Sequence, residues 1–398
     1  MNFALQKTLE LLVIIGIGFF LQKKIAKEDL KGVKEIILCV ALPATIFVAL
    51  LKIELKGSLL IFPLLALAFN FIMLLASKFL LTATLPIGET AKKRTLLMLL
   101  PSLAPGLSCF PFIVVYLGDD SLALAALSDV GNKIFVLILL YILAMRWHRL
   151  ATSHGNPKIT TGSKLKGLLL SLLNEPINMV IVIGLVLLGL GITLTSLPGF
   201  LQNTVLSLTA LMTPLVLLFI GMAVRIKSGE FGVILSMLVR RAGLTFCLSA
   251  IFVYAFPSLT PAMILLLVVF PQSSCSFWPF AHMNAINSME DNIQHQHPTF
   301  DTNFAVNILA CSLPFSTLLI IGVFSFSDFF IDPSVLLGMG LGALAISFAP
   351  HIIKSKSFMK DKEQKWLISS KKKKSNLTLT DSQVDEETKE AIEEAKAS

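Results

Sequence analysis

Along most of this chain apolar positions do not alternate with polar ones; they run on for about twenty residues and then give way to short polar clusters. Coiled as an α-helix, a run of about 20 residues spans the roughly 30 Å hydrocarbon layer of a bilayer. Eleven such runs are predicted, at about 4–21, 35–51, 58–82, 94–118, 122–146, 172–194, 201–224, 232–256, 261–284, 303–327 and 334–353. The first lacks a basic n-region and a small-residue cleavage site, so a retained helix is expected there, not a signal peptide. Two runs contradict their own helical pattern. APGLSCFPF at 104–112 and FPQSSCSFWPF at 270–280 set prolines and small polar residues where a buried helix favours neither.

Composition sharpens the membrane reading. Of 398 residues, 55% are hydrophobic and 15% charged, whereas soluble domains carry about a quarter charged residues. The fold class expected is an all-α polytopic membrane protein. Cys39, Cys109, Cys247, Cys275 and Cys311 all fall inside predicted runs, in odd number and without a CxxC pair, so apolar filling is expected of them and not a disulfide or metal framework.

The net charge of +8 does not point to nucleic acid, because the basic residues alternate between connections. Lys23, Lys24, Lys27, Lys31 and Lys34 follow the first run, and only Lys52 and Lys56 the second. Lys92, Lys93 and Arg94 follow the third; none follow the fourth. The fifth connection has Arg146, Arg149, Lys158, Lys164 and Lys166, the seventh Arg225, Lys227, Arg240 and Arg241, and the sixth and eighth none. Cytoplasmic loops retain Lys and Arg. The expected placement is the cell membrane, amino terminus outside, odd connections and carboxyl-terminal tail in the cytoplasm. The ninth connection, about 285–302, is cytoplasmic by parity yet holds no Lys or Arg; its His295 and His297 read as polar loop residues, and no metal or other cofactor is expected.

A displacement of about 170 residues superimposes one half of the chain on the other. LPATIFVALLKIELK at 42–56 lies over TPLVLLFIGMAVRIK at 213–227, with Pro43 on Pro214 and Lys56 on Lys227. SDVGN at 128–132 lies over FDTN at 300–303, bringing Asp129 to Asp301 and Asn132 to Asn303 with a one-residue gap. Five runs separate equivalent helices, an odd number, so the second copy enters the membrane from the opposite side. The organisation expected is a first five-helix repeat (1–150), a cytoplasmic linker (151–170), a second, inverted five-helix repeat (171–328), an extra eleventh helix (329–353) and a disordered cytoplasmic tail (354–398).

Inverted repeats with interrupted helices are typical of secondary transporters, whose site lies where the broken helices meet. Irregular backbone survives in a bilayer only when buried in protein or facing a wet cavity. Pro101, Pro105, Gly106 and Pro111 are expected to unwind about 105–111; Pro271 and Pro279 frame the second break. Half-helix amino termini carry about half a positive charge and unpaired N–H groups, which suits a carboxylate. Ser108, Cys109, Pro111, Gln272, Ser274, Ser276 and Pro279 are the candidate substrate residues.

At these residues the sequence resembles the auxin efflux carrier family of membrane permeases, through ALPATIF (41–47), CFPFIVVYLG (109–118), LSDVGNKIFV (127–136), NEP (174–176), LMTPLVLLFIGMAV (211–224) and FPQSSCSFWPFA (270–281). The resemblance implies ten helices in two inverted five-helix repeats with crossovers in the fourth and ninth, marked by Pro111 and Pro279. It also implies export or exchange of small organic anions without ATP. The chain departs from the family pattern in having APGLSCF where an asparagine and glycines often precede the first crossover proline, and in a longer second crossover, so substrate identity does not carry over.

Asp129 and Lys133, four apart inside the fifth run, share a helix face. Charges at such depth normally face a bundle interior or an aqueous path. With Asn132 they are the candidates for coupling to a proton or sodium ion; a fixed ion pair between helices is the competing reading. Asp301 reads as a capping residue, Glu175 as a first-turn acid before Pro176, and Asn70 and Asn178 as polar contacts between helices. The expected partners are a small organic anion, the coupling ion, membrane lipid and a second copy of the chain. A sensor or scaffold that keeps a transporter fold and signals through its tail is the rival reading. A hydrolase is not expected, since HExxH and GxSxG are absent and Ser108 has no evident base.

Overall fold

A computed structural model of the chain describes residues 3–52, 59, 61–81, 89–151, 167, 170, 174–223, 231–292 and 298–348. Among them every regular element is helical. Six helices are long and apolar enough to cross a membrane: Asp29–Leu50, Ile61–Leu80, Gly118–Ala151, Gly199–Ala223, Phe231–Ala255 and Thr302–Ser325. Pro176–Gly189, Pro261–Gln272 and Pro333–Phe348 are shorter apolar helices. Lys56, Lys227, His295, His297, the greater part of the 151–170 linker and the basic and acidic tail lie outside the described residues.

In chain order the helices are α1 (Phe3–Leu21), α2 (Lys27–Ile36), α3 (Leu42–Leu50), α4 (Ile61–Ala76), α5 (Thr90–Leu99), α6 (Pro105–Ser108), α7 (Phe110–Tyr116), α8 (Gly118–Ile134), α9 (Leu140–Ala151), α10 (Pro176–Gly189), α11 (Gly199–Ala223), α12 (Phe231–Ala255), α13 (Pro261–Val269), α14 (Trp278–Asn292), α15 (Thr302–Ser325) and α16 (Ser327–Phe330), followed by α17 (Pro333–Phe348). A compact unit comprises residues 1–344. Of the second unit, 345–398, only 345–348 are described, and they are helical.

Two long helices are assembled from shorter ones through π-helical turns. Ile37–Ala41 joins α2 to α3, and Phe135–Leu139 joins α8 to α9. In the first case Pro43 follows the turn at once. A proline has no N–H to give and its ring crowds the carbonyl four residues back; a widened turn relieves both.

The outer surface is apolar. Phe20, Leu64, Leu75, Phe79, Phe200, Ile251 and Leu318 are all exposed. Such a surface is a liability in water and costs nothing against lipid tails. Association between helices then depends on close packing, and glycines provide it: a Cβ on Gly221 of α11 would lie 2.1 Å from the Ile15 carbonyl oxygen of α1, and one on Gly131 of α8 would lie 1.9 Å from that of Pro63 in α4. α17 meets α12 the same way, Gly340 against Cys247 and Gly243.

Both predicted breaks are present, with one shift. In the ninth run the chain leaves the helix after a short 3-10 turn, Phe270–Gln272, is non-helical over 273–277 and re-enters at Trp278, with Pro279 in the first turn of α14. In the fourth run the non-helical stretch is 100–104 and not 105–111, with a second irregularity at Cys109 (φ −127°, ψ −46°). Pro105 and Pro111 start helices instead of ending them, because the first turn needs no N–H and favours proline's fixed φ. Arg240 and Arg241 also depart from expectation. They are not loop residues but sit buried in the middle of α12, leaving Arg225 and Lys227, outside the described residues, as the basic groups of the seventh connection.

Candidate functional site: two interrupted helices zipped together

The two breaks touch. The Ala104 amide donates to the Ser274 carbonyl oxygen at 2.8 Å. The Ser274 amide donates to Ser108 Oγ at 2.9 Å, and the Ser276 amide to Ser102 Oγ at 3.0 Å. Each serine in turn donates backward into its own segment, Ser108 Oγ to the Ala104 carbonyl at 2.8 Å and Ser102 Oγ to that of Leu99 at 2.6 Å. The Cys275 amide reaches Ser312 Oγ of α15 at 3.3 Å, and Cys109 Sγ lies 3.6 Å from the Val269 carbonyl. All of these residues are buried except Ala104, which is half-buried. Backbone groups that helix interruption sets free are thus satisfied reciprocally, which is the condition for keeping irregular backbone out of water.

A positive charge stands beside the crossing. Arg241 Nε donates to the Leu100 carbonyl at 2.8 Å and Nη2 to that of Ser102 at 3.4 Å. These carbonyls follow the carboxyl end of α5, where a helix carries partial negative charge, so a guanidinium is favoured there. Among the described residues no carboxylate lies within ion-pairing distance of it. Gln272, on the opposite break, donates through Nε2 to the Ala242 carbonyl at 3.2 Å, while its Oε1 is buried without a partner.

The sequence-predicted coupling residues stand directly behind the first break. Asn132 clamps Leu103 by both ends of its amide: the Leu103 N–H donates to Oδ1 at 3.2 Å and Nδ2 donates to the Leu103 carbonyl at 2.9 Å. The same Nδ2 reaches Asp129 Oδ1 at 2.8 Å. Asn70 Nδ2 donates to Asn132 Oδ1 at 3.1 Å, and Asn70 Oδ1 is buried with no partner. Lys133 Nζ lies 3.3 Å from Asp129 Oδ2, 3.1 Å from Glu175 Oε1 and 3.2 Å from Asn178 Oδ1.

The chain matches no protein-family model, and no curated protein is similar to it.

Every candidate substrate residue therefore lies at or next to the crossing, and Asp129, Asn132 and Lys133 form one connected cluster that reaches it. The structure adds three residues that the sequence reading did not select for the site. Ser102 does for Ser276 what Ser108 does for Ser274; the PSLAPGLS spacing, with a serine on each side of Pro105, is the available signal. Arg241 belongs by charge to the seventh connection, although it lies ten residues inside an apolar run. Glu175 is placed at the N-cap of α10, but its side chain caps nothing and turns to Lys133 instead. Asp301, by contrast, caps α15 by accepting from the Phe304 amide at 2.9 Å. The two carboxylates that the internal displacement aligns thus occupy different local positions.

Proposed function

We propose that the protein is a secondary transporter that exports or exchanges a small organic anion such as a carboxylate across the cell membrane, with its site where the two interrupted helices cross. The observation that carries the reading is the direct hydrogen bonding between the two breaks inside an apolar body. Two helices broken at once, each satisfying the other's freed backbone, place main-chain amides where a solute can reach them only if the crossing opens.

The chemistry is an exchange of oxygens. A carboxylate oxygen takes the place of the Ser102 or Ser108 hydroxyl at the amides of Ser276 and Ser274, and Arg241 supplies a full positive charge nearby. Asp129, Asn132 and Lys133 couple the event to a proton or sodium ion. The inverted repeat belongs to this reading and draws support from packing. Leu96, Leu99 and Leu100 share a hydrophobic cluster with Cys275, Met283 and Ile286. Leu103, Phe110 and Ile113 share another with Leu265, Val269 and Phe270. Each half of one broken helix thus shares a core with the opposite half of the other, an arrangement compatible with two antiparallel helices crossing at their breaks. The resemblance to the auxin efflux carrier family, a lipid-embedded homodimer and an outside amino terminus are parts of the same proposal.

The test is exchange of isotopically labelled mono- and dicarboxylates by purified protein in liposomes, across a panel of acids and with or without sodium. Saturable exchange of at least one acid is expected. Folded protein that moves none of them would remove the transport reading and favour signalling through the tail.

A further inference from the structure

Glu175 poses a question that its position in sequence does not answer. An acid at an N-cap normally accepts hydrogen bonds from the first-turn amides. Glu175 makes no such bond. Its Oε1 lies 3.1 Å from Lys133 Nζ, and its Oε2 accepts from Asn178 Nδ2 at 3.4 Å. Lys133 is thereby shared between two carboxylates at nearly equal distance, 3.3 Å from Asp129 and 3.1 Å from Glu175.

Charge and burial make this sharing unstable as a static arrangement. Two carboxylates and one ammonium sum to one negative charge, and an uncompensated charge inside an apolar body is strongly disfavoured. Exposure is graded along the cluster: the Glu175 side chain is 20% exposed, that of Lys133 6% and that of Asp129 4%. The innermost carboxylate touches Asn132, which holds both the N–H and the carbonyl of Leu103 in the first break.

We propose that Glu175, Lys133 and Asp129 form a proton-exchange triad in which Glu175, the most exposed of the three, receives a proton from the aqueous side and Asp129 delivers its effect to the broken helix. The inference rests on the coupling role given to Asp129 and Lys133 above, and adds to it the receiving group and the route. The proton adds to a Glu175 carboxylate oxygen. The Lys133 ammonium gives a proton to Asp129 and takes the one on Glu175, so that lysine is unchanged, Glu175 is again ionised and Asp129 is neutral. A neutral Asp129 no longer attracts Lys133, and it loosens its hold on the Asn132 amide that clamps Leu103. Of the elements around Glu175, α3 has no titratable side chain and α8 supplies Asp129 and Lys133. The π-helical turn 37–41 supplies Cys39, which lies in the field of Glu175 and 3.6 Å from Glu35.

Two measurements on the full-length purified protein decide it. Time-resolved infrared difference spectroscopy after a pH jump is expected to show the C=O stretch of the carboxyl that ends neutral, removed by Asp129→Asn and absent or delayed in Glu175→Gln. Glu175→Asp, which keeps the carboxyl and shortens its reach, is expected to delay the band without removing it, and serves if the glutamine variant does not fold. In liposomes, the ratio of accumulation driven by a pH gradient to exchange at symmetrical pH should fall about tenfold in Glu175→Gln. A spectrum unchanged by either substitution, or an unchanged ratio, would overturn the triad. If the native protein exchanges no acid, the transport reading fails while the infrared experiment still decides whether the proton reaches Asp129 through Glu175.

Discussion

Two serine hydroxyls close the crossing, and each is held from both sides. Ser108 accepts from the Ser274 amide while donating to Ala104, and Ser102 accepts from the Ser276 amide while donating to Leu99. Removing either hydroxyl leaves a buried amide without a partner, at a cost of about 1–3 kcal/mol. A structural hydroxyl and one that holds the place of a ligand oxygen differ in what ligand does next. If the anion takes over these amides, Ser108→Ala lowers the melting temperature of the free protein yet binds the anion more tightly, since no hydroxyl must be displaced; relief of about 1.4 kcal/mol amounts to about tenfold in affinity. The check is thermal unfolding with and without a transported acid. A lower melting temperature together with a smaller ligand-induced rise would mean that Ser108 is itself a ligand contact, and the displacement argument would be wrong.

At the scale of the element, the prolines act by position. Pro111 has no N–H for the Leu107 carbonyl, and its ring crowds that carbonyl, so α6 and α7 meet at Cys109 without fusing. Alanine at 111 restores the donor and lets the helix run on, drawing Ser108 away from Ser274; alanine at 279 acts likewise on the start of α14. We expect Pro111→Ala and Pro279→Ala to retain folded protein, measured by size-exclusion profile, while losing most of the exchange measured in liposomes. Equal loss of both would assign these prolines to folding. The breaks themselves were legible in the sequence because proline and serine clusters inside apolar runs have few other uses. Their exact extent was not. Whether a proline starts or ends a helix depends on the chain's direction out of the break, a tertiary matter, so the sequence predicts unwinding at 105–111 where the chain is non-helical over 100–104. Asp129 and Lys133 were legible from helical spacing alone. Glu175 and Arg241 were not, because what they face is set by α8 and by the first break, each far away in sequence.

Across the whole molecule, contacts sort by the parity of the connections they join. Lys52, after the second run, pairs with Asp119, after the fourth, at 2.6 Å. Thr8 near the amino terminus bonds Tyr116, near the fourth connection, and Ser325, near the tenth. On the other parity, Gln22 reaches the Met222 carbonyl, joining the first and seventh, and the Asp301 amide reaches Thr95 at 3.0 Å, joining the ninth and third. His148 Nδ1 lies 2.8 Å from Glu290, which accepts from the Thr299 amide at 2.8 Å and from its hydroxyl, joining the fifth and ninth. Chance pairing would mix the two sets. Their separation agrees with the proposed topology, in which the chain crosses the bilayer at every run, and extends to the ninth connection, where basic residues gave no guidance. On the same proposal, the lysines of the first connection set the sidedness by staying in the cytoplasm. In a background without reactive cysteines, Asp119→Cys should react with an impermeant maleimide applied to intact cells, whereas Lys23→Cys and Asn284→Cys should react only after permeabilisation. Labelling of Asp119→Cys and Asn284→Cys from the same side would defeat the inverted arrangement, because the beginning of one broken helix and the end of the other would no longer share a face of the membrane.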